Sequence, residues 1–521
     1  MIEAPPVRHP TVHQGPPRRR WIGAVDGMVA GLLTIGVGTI LAGGAEQLGL
    51  TGGQPAPIAA VAGAFIDRTP PWLKDFAVST FGTNDKRALL IGTLVVLALV
   101  CAALGLLART RITAGLLGFA VVGAIGIGAV LSRPGAVAFD VVPTLLGTIV
   151  GLWFLRAAVA QGPDPAAGLS RRWIIGGVVG AAGAYLGNAL AGGSNAATAS
   201  RVAAQVPAVP LNVATRVTIP AGADLKVAGV APFVSDTAGF YRIDTAFVVP
   251  RLNADEWRLN VTGMVDREVQ LDWATLQSKE LQEAMVTLCC VSNEVGGDLI
   301  GNAVWTGWPV RELLKLAGPK AGADMVLQTS TDGWTCGTPL GALTDDRDAL
   351  LAVRMNGQPL PFEHGFPVRL VVPGLYGYVS ACKWVTELKV TTFADDAGYW
   401  TPRGWSELGP VKTASRIDVP HAGGSVSSGT VAVAGVAWAQ HRGISRVEVQ
   451  VDDAPWVEAR LAADAGIDVW RQWVFEWEAT RGSHDLRVRA VDGTGALQTP
   501  VEASPAPDGA SGYHSVTVRV D

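Results

Sequence analysis

The stretch with the most chemical content is Val286-Thr287-Leu288-Cys289-Cys290-Val291-Ser292-Asn293-Glu294-Val295-Gly296-Gly297, where a β-type apolar run ends in two thiols and passes into an asparagine and two glycines. A buried cysteine by itself is ordinarily a small hydrophobe, and Cys101 is read that way. Here the setting differs. Paired glycines let backbone approach a bound group closely, and a thiol at a strand-to-loop junction can point into a cleft. A bond between neighbouring cysteines is strained, so at least one of Cys289 and Cys290 is a free thiol kept for chemistry or packing. With Cys101, Cys336 and Cys382 the count is five, with no zinc-type spacing and no C-x-x-C-H haem attachment site.

The elements that position this stretch follow from length and composition. A chain of 521 residues has room for several domains, and 49% hydrophobic against 17% charged residues is too apolar for a soluble protein of this length unless part of it lies in lipid. The excess is localised in five apolar runs at about 21–41, 88–107, 112–131, 141–160 and 173–190, each able to cross ~30 Å of hydrocarbon as a helix. Arg156 interrupts the fourth run near its end, where it can snorkel. Arg18, Arg19, Arg20, Arg109, Arg111, Arg156, Arg171 and Arg172 sort to one side, which predicts a cytoplasmic N-terminus and an extracytoplasmic segment after residue 192. The joint carrying Arg68, Lys74, Lys86 and Arg87 weakens this asymmetry.

None of the seven histidines, at 9, 13, 364, 421, 441, 484 and 514, falls in an apolar run, so ligand supply excludes a haem held between membrane helices. Gly176-x-x-x-Gly180 and Gly183-x-x-x-Gly187 read as close helix packing. Ser170-Arg171-Arg172 followed by an apolar run resembles a twin-arginine export signal placed internally; two ordinary positive-inside arginines are the alternative. A net charge of -4 gives no basic footprint for nucleic acid.

The expected organisation is a cytoplasmic tail (1–20), an all-α transmembrane bundle of about five helices (21–194), a linker (195–230), an α+β domain (231–410) and an all-β domain (411–521). Residues 257–263 and 367–372 read as strands, and Asn356-Gly357 as a hairpin turn. Helical patterning appears at 273–283 and 310–316. From 411 onward, short alternating runs at 431–438, 446–451 and 485–491 predict a β-sandwich.

Two segments, LCCVSNEVGGDLIGNAVWTGWPVREL and LAVRMNGQPLPFEHGFPVRLVVPGLYGYVSACKWV, closely resemble the molybdopterin-binding domain of the sulfite oxidase family over roughly residues 238–395. The resemblance implies a molybdenum-molybdopterin cofactor and a single protein thiolate on the metal, three residues before an asparagine; that selects Cys290 over Cys289 and brings in Asn293. It further implies cofactor contacts from Tyr241, Arg242, Asp244 and Thr245, from Asp332, from His364 and Arg369, and from the turn Ala381-Cys382-Lys383 as a phosphate clasp. Guanidinium, ammonium and backbone N–H groups are what a phosphate needs. The C-terminal region, by its position and the text AGVAWAQHRGISRVEVQVDDAPW, resembles the family's immunoglobulin-like dimerisation domain, which implies a homodimer. Its tryptophans, Trp438, Trp456, Trp473 and Trp477, are read as core or interface.

Two features depart from the family. Glu294 and Val295 follow Asn293 where sulfite oxidases carry an oxyanion-binding arginine, and Cys336 stands where they carry a tyrosine near the metal. No haem domain is visible, and none is expected as a cofactor. The expectation is thus a bacterial membrane-anchored oxidoreductase that transfers an oxygen atom to or from a small molecule and exchanges electrons with an external redox partner, with lipid around its helices. The alternative is a membrane-anchored binding or structural protein without redox activity. The intact Cys290, His364 and Arg369 argue against it, and the scarcity of intramembrane charge, with Asp26 and Glu46 near span ends, argues against a transporter.

Overall fold

The computed structural model describes residues 21–70, 73, 76, 80, 85–161, 171–205, 213–246 and 248–521, with backbone alone for 85–86 and 191–205. The expected tail 1–20, including Arg18, Arg19 and Arg20, together with Lys74, Ser170 and residues 206–212 of the expected linker, lies outside the described residues. The chain divides into two compact units, one formed by residues 1–65 and 87–194, the other by 66–86 and 195–521.

In the first unit the helices are α1 (Trp21–Gln47), α2 (Pro57–Arg68), which continues past its edge, α3 (Asp85–Thr110), α4 (Ile112–Leu131), α5 (Val141–Ala160) and α6 (Arg171–Gln205). Among the described residues, five of these (all but α2) are long and apolar enough to cross a membrane, as the sequence predicts. Helix α1 is the hub because its glycines admit other backbones. A side chain on Gly27 would strike the Cys101 carbonyl of α3, one on Gly36 the Gly180 carbonyl of α6, and one on Gly147 of α5 would strike the Thr34 carbonyl. The glycine spacing in α6 is therefore packing, with Gly183 against Gly36 and Gly187 against Thr39. Asp26, expected merely near a span end, is fully enclosed. Its carboxylate accepts from Arg109 Nη2 (2.5 Å) and Trp173 Nε1 (2.8 Å) and lies 3.5 Å from Arg172 Nη2.

Two expectations are corrected. Residues 195–205 continue α6 rather than beginning a linker, because an Ala-rich run with no proline before Pro207 keeps high helix propensity. The helix expected over 273–283 stops at Gln277, and Leu281 opens a strand whose pairing with its neighbour overrides local pattern.

The second unit holds two sheets packed on one core, followed by a sandwich. Its elements are β1 (Val213–Thr215), β2 (Arg258–Gly263), β3 (Val269–Asp272), α7 (Trp273–Gln277), β4 (Leu281–Cys289), β5 (Ile300–Pro309), α8 (Val310–Ala317), β6 (Met325–Ser330), β7 (Thr335–Pro339), α9 (Leu340–Thr344), β8 (Leu350–Met355), β9 (Gln358–Pro359), β10 (Arg369–Val371) and β11 (Val385–Thr391). One sheet runs β1-β4-β5-β8-β10, with β9 on β8; the other runs β3-β2-β11-β6-β7. The β8–β9 hairpin turns at Asn356 (φ 50°) and Gly357 (φ 75°), the pair of positive φ values that an Asn-Gly turn provides.

The sandwich faces a sheet β12-β14-β18-β17 with a sheet β13-β20-β19-β15-β16, where β12 is Ala414–Val419, β13 Ser425–Val426, β14 Gly429–Trp438, β15 Ile444–Val451, β16 Val457–Glu458, β17 Arg460–Leu461, β18 Arg471–Ala479, β19 Gly482–Asp492 and β20 His514–Val520. Inward residues such as Val433, Val447, Trp473, Leu486 and Val518 form a core of their own. Trp473 and Trp477 belong to that core, while Trp438 packs into the core of the preceding domain.

Candidate active site

Strand β4 delivers the two thiols. Cys289 ends the strand inside the hydrophobic core, while Cys290 begins the loop and is 9% exposed. The loop is stapled at its base. Cys290 N–H donates to Leu299 O (2.9 Å), Asn293 N–H to Cys290 O (3.1 Å), and Leu299 N–H to Asn293 Oδ1 (2.8 Å). Asn293 thus holds the loop shape, and a side chain at Gly297 would meet its Oδ1 at 2.7 Å. Glu294 and Val295 sit on the exposed rim. Burial pushes the Cys290 thiol up, while hydrogen bonding by Ser292 and the charge of Lys383 pull it down.

Around this thiol stand groups from three other segments. Tyr241 stacks on Phe240 at 5.2 Å, and burial with the neighbouring Cys290 and Cys289 raises its phenol well above the usual range. Arg369, on β10, is 5% exposed; its Nη1 donates to His364 O (3.2 Å) and its Nε to Leu370 O (3.3 Å), and it lies over the Trp305 ring. Among the described residues no carboxylate pairs with it, and burial lowers its pKa to about 10. A buried guanidinium held only by carbonyls is a site built for an anion. His364 donates from Nε2 to Thr237 O (3.0 Å), and burial with the nearby Arg369 and Lys383 lowers its pKa to about 4, so it is neutral.

Lys383 points to Asp244 (2.6 Å) and to Glu363 O (3.1 Å), and the same Asp244 oxygen accepts from Arg242 Nε (3.0 Å). Asp332 lies in the same electrostatic neighbourhood, its carboxyl raised first by burial. Thr245 is half-buried and follows Asp244 directly in sequence. The turn at 381–383 is less open to an anion than the resemblance implies. Ala381 N–H already donates to Gly377 O (3.0 Å) and Cys382 N–H to Gln328 Oε1 (3.3 Å), which leaves the Lys383 end of the turn. Cys336 is fully buried; its electrostatic neighbour is Cys382, not Cys290.

One residue escaped the sequence reading. Tyr376 is buried, its phenol raised by burial and by Cys289, and its hydroxyl accepts from Lys412 N–H (3.4 Å) beside Gly509. Its signal, a tyrosine in the turn just before the 381–383 segment, carries no spacing rule that would single it out.

These features define a nearly buried thiol at a strand end of an α+β domain, with a buried guanidinium held by backbone carbonyls in the same region. A family model for the oxidoreductase molybdopterin binding domain matches residues 246–400. The uncharacterized oxidoreductase YuiH of Bacillus subtilis (strain 168) is 32% identical over 180 residues, covering 34% of this chain and 87% of that protein. Mitochondrial sulfite oxidase of Homo sapiens is 29% identical over 293 residues, covering 47% of this chain and 53% of that protein. Among solved structures, the sulfane dehydrogenase SoxCD from Paracoccus pantotrophus superimposes with a TM-score of 0.48 at 22% identity, over 57% of this chain and 86% of that one. The chain belongs to the sulfite oxidase family of molybdopterin-binding oxidoreductases. It spans about half the length of the mitochondrial sulfite oxidases it matches. The donor set fits the family's cofactor: a soft thiol for the metal and a carboxylate-free buried guanidinium for a phosphate.

Proposed function

We propose that this protein is a membrane-anchored molybdenum oxidoreductase that exchanges an oxygen atom with a small molecule and electrons with an external redox partner. The observation that carries the reading is that the Cys290 thiol and the buried Arg369 guanidinium, which pairs with no carboxylate among the described residues, both lie within electrostatic reach of Tyr241. When bound, the molybdenum cofactor supplies two-electron oxygen-atom transfer.

The chain's own residues bind and enclose it. Cys290 would ligate the metal as thiolate, with Lys383 offsetting part of the thiolate's charge. Arg369 would hold the cofactor's phosphate by a charge-assisted fork, and neutral His364 would orient the pterin through its ring edge while Nε2 stays on Thr237 O. Tyr241, with its phenol raised by burial and by Cys290, would keep its proton beside the thiol. Asp244 sets the positions of Lys383 and Arg242. The five apolar helices anchor the chain in a bacterial membrane with the cofactor domain outside, and the C-terminal sandwich, immunoglobulin-like by its sequence resemblance, serves homodimerisation.

The test is metal analysis of the purified full-length chain in detergent, with an activity screen on sulfite, sulfoxides and N-oxides. Wild type should carry close to one molybdenum per chain. Cys290→Ser should lose activity, whereas Cys289→Ser should keep both metal and activity at some cost in stability, since a hydroxyl then sits in the core. Equal loss in both variants, or full activity in Cys290→Ser, overturns the ligand assignment.

A further inference from the structure

The strand that ends in Cys290 is tied on its open edge to the sandwich. Among the described residues, strand β1 pairs with that edge of β4 at Leu281 and Gln282. Further along, Thr287, three residues before Cys290, turns its backbone to residues of the sandwich domain. Thr287 N–H donates to Asp468 O (3.0 Å), and Gln440 Nε2 donates to Thr287 O (3.1 Å).

The Thr287 side chain closes a ring. Its hydroxyl donates to Asn302 Oδ1 (3.0 Å) and accepts from Trp470 N–H (2.8 Å). Asn302 Nδ2 donates to Phe233 O (2.8 Å), and Trp470 Nε1 donates to the same carbonyl (2.9 Å). Thr287, Asn302 and Trp470 are all at most 2% exposed, so water cannot replace a lost partner, and an unmet buried group costs ~1–3 kcal/mol. From this ring a second run leads to the far end of the cradle. Asn302 N–H donates to Ser235 Oγ (3.0 Å), Asn356 Nδ2 donates to Ser235 O and Thr237 Oγ1 (3.0 Å each), and Thr237 O receives His364.

We propose that Thr287 and Trp470 are positioning residues for Cys290: the buried ring through Asn302 and Phe233 fixes the end of β4 against the sandwich, and so sets the thiol's orientation toward the bound cofactor. This rests on the molybdenum reading above. Fully satisfied buried networks fix geometry, and outer partners that orient a ligand typically change metal affinity or activity 10–100-fold when removed. Thr287 touches neither the metal nor the substrate; it acts through the strand.

The experiment uses the full chain in detergent and compares wild type with Thr287→Val, which keeps shape and removes the hydroxyl, and Thr287→Ser, which keeps the hydroxyl. Molybdenum per chain is followed during prolonged dialysis, and the EPR g-values of the bound metal are recorded after one-electron reduction. Thr287→Val should lose molybdenum at least about tenfold faster and show shifted g-values, while Thr287→Ser should match wild type in both. Wild-type retention and an unchanged spectrum in Thr287→Val, even with a lowered melting temperature, overturn the positioning role and leave the cofactor reading standing. A wild-type chain without molybdenum overturns both. If Thr287→Val does not accumulate folded, Trp470→Phe breaks the ring from the sandwich side and is judged by the same two outcomes.

Discussion

The ammonium of Lys383 lies 2.6 Å from the Asp244 carboxylate oxygen that also receives Arg242. One carboxylate therefore serves two cations at the edge of the cradle, and the two partners of the Lys383 pair are not equivalent. Asp244→Ala leaves the buried Lys383 ammonium without its carboxylate, which typically costs ~3–5 kcal/mol. Lys383→Met removes the buried charge and leaves Asp244 with Arg242, so its cost should be smaller. Thermal unfolding of the two single variants and of the double variant Asp244→Ala with Lys383→Met checks this. The double variant should be more stable than Asp244→Ala alone, and a double variant as damaged as the sum of the singles would refute the pairing as an energetic unit.

Sulfite should be a poor substrate. Glu294 stands on the exposed rim of the Cys290 loop, where its charge repels an incoming dianion, and the family's arginine is absent from that place. Replacing Glu294 by Gln should raise kcat/KM for sulfite severalfold at low ionic strength, and added salt should shrink the gain because the carboxylate is in water. Steady-state assays with an artificial electron acceptor decide it. Wild-type turnover of sulfite at the level of sulfite oxidases would refute the expectation.

The depressed pKa of His364 gives the second domain a specific acid sensitivity. Its folded value of about 4 lies below the ordinary 6.5, so the unfolded chain binds the extra proton. Stability from this group is complete above about pH 6.5 and is lost as pH falls toward 4, about 3 kcal/mol over that window. His364→Gln cannot take up the proton, so its melting temperature should fall less than that of wild type between pH 7 and 5, read by tryptophan fluorescence. Parallel curves for the two proteins would show that the neutral state of His364 is not what acid attacks.

Much of this was legible in the residues because the signals were local. Five apolar runs, the Asn356-Gly357 turn and the alternating strands of the C-terminal region each rest on a short-range rule. The thiol loop was singled out by its resemblance to the sulfite oxidase family, which pairs Cys290 with Asn293, although the resemblance does not say that Asn293 accepts Leu299 N–H. What stayed hidden depends on distant partners. Nothing in the text near Thr287 announces Trp470, 183 positions away, and nothing near Asp26 announces Arg109 and Trp173. The strand at Leu281 was misread as helix because its state is set by pairing with β5, a tertiary effect that overrides the local pattern.

The Asp26 cluster bears on the proposed export of the cofactor domain across the membrane. A domain filled with its cofactor before export must cross folded, and Arg171-Arg172 at the start of α6 resembles the paired arginines of a folded-export signal. The structure gives Arg172 a second role, because its guanidinium donates to Ala158 O (3.3 Å) and lies 3.5 Å from the buried Asp26 carboxylate. Arg171 is exposed. The two roles separate by substitution. Arg171→Lys keeps the positive charge and leaves the Asp26 cluster intact, so only recognition of the arginine pair is removed. In spheroplasts of Arg171→Lys the cofactor domain should stay protected from external protease if the pair is a signal, while Arg172→Lys should in addition lower the stability of the helical unit. Normal protease exposure of Arg171→Lys with full molybdenum content would end the internal-signal idea and leave Arg172 as a bundle contact alone.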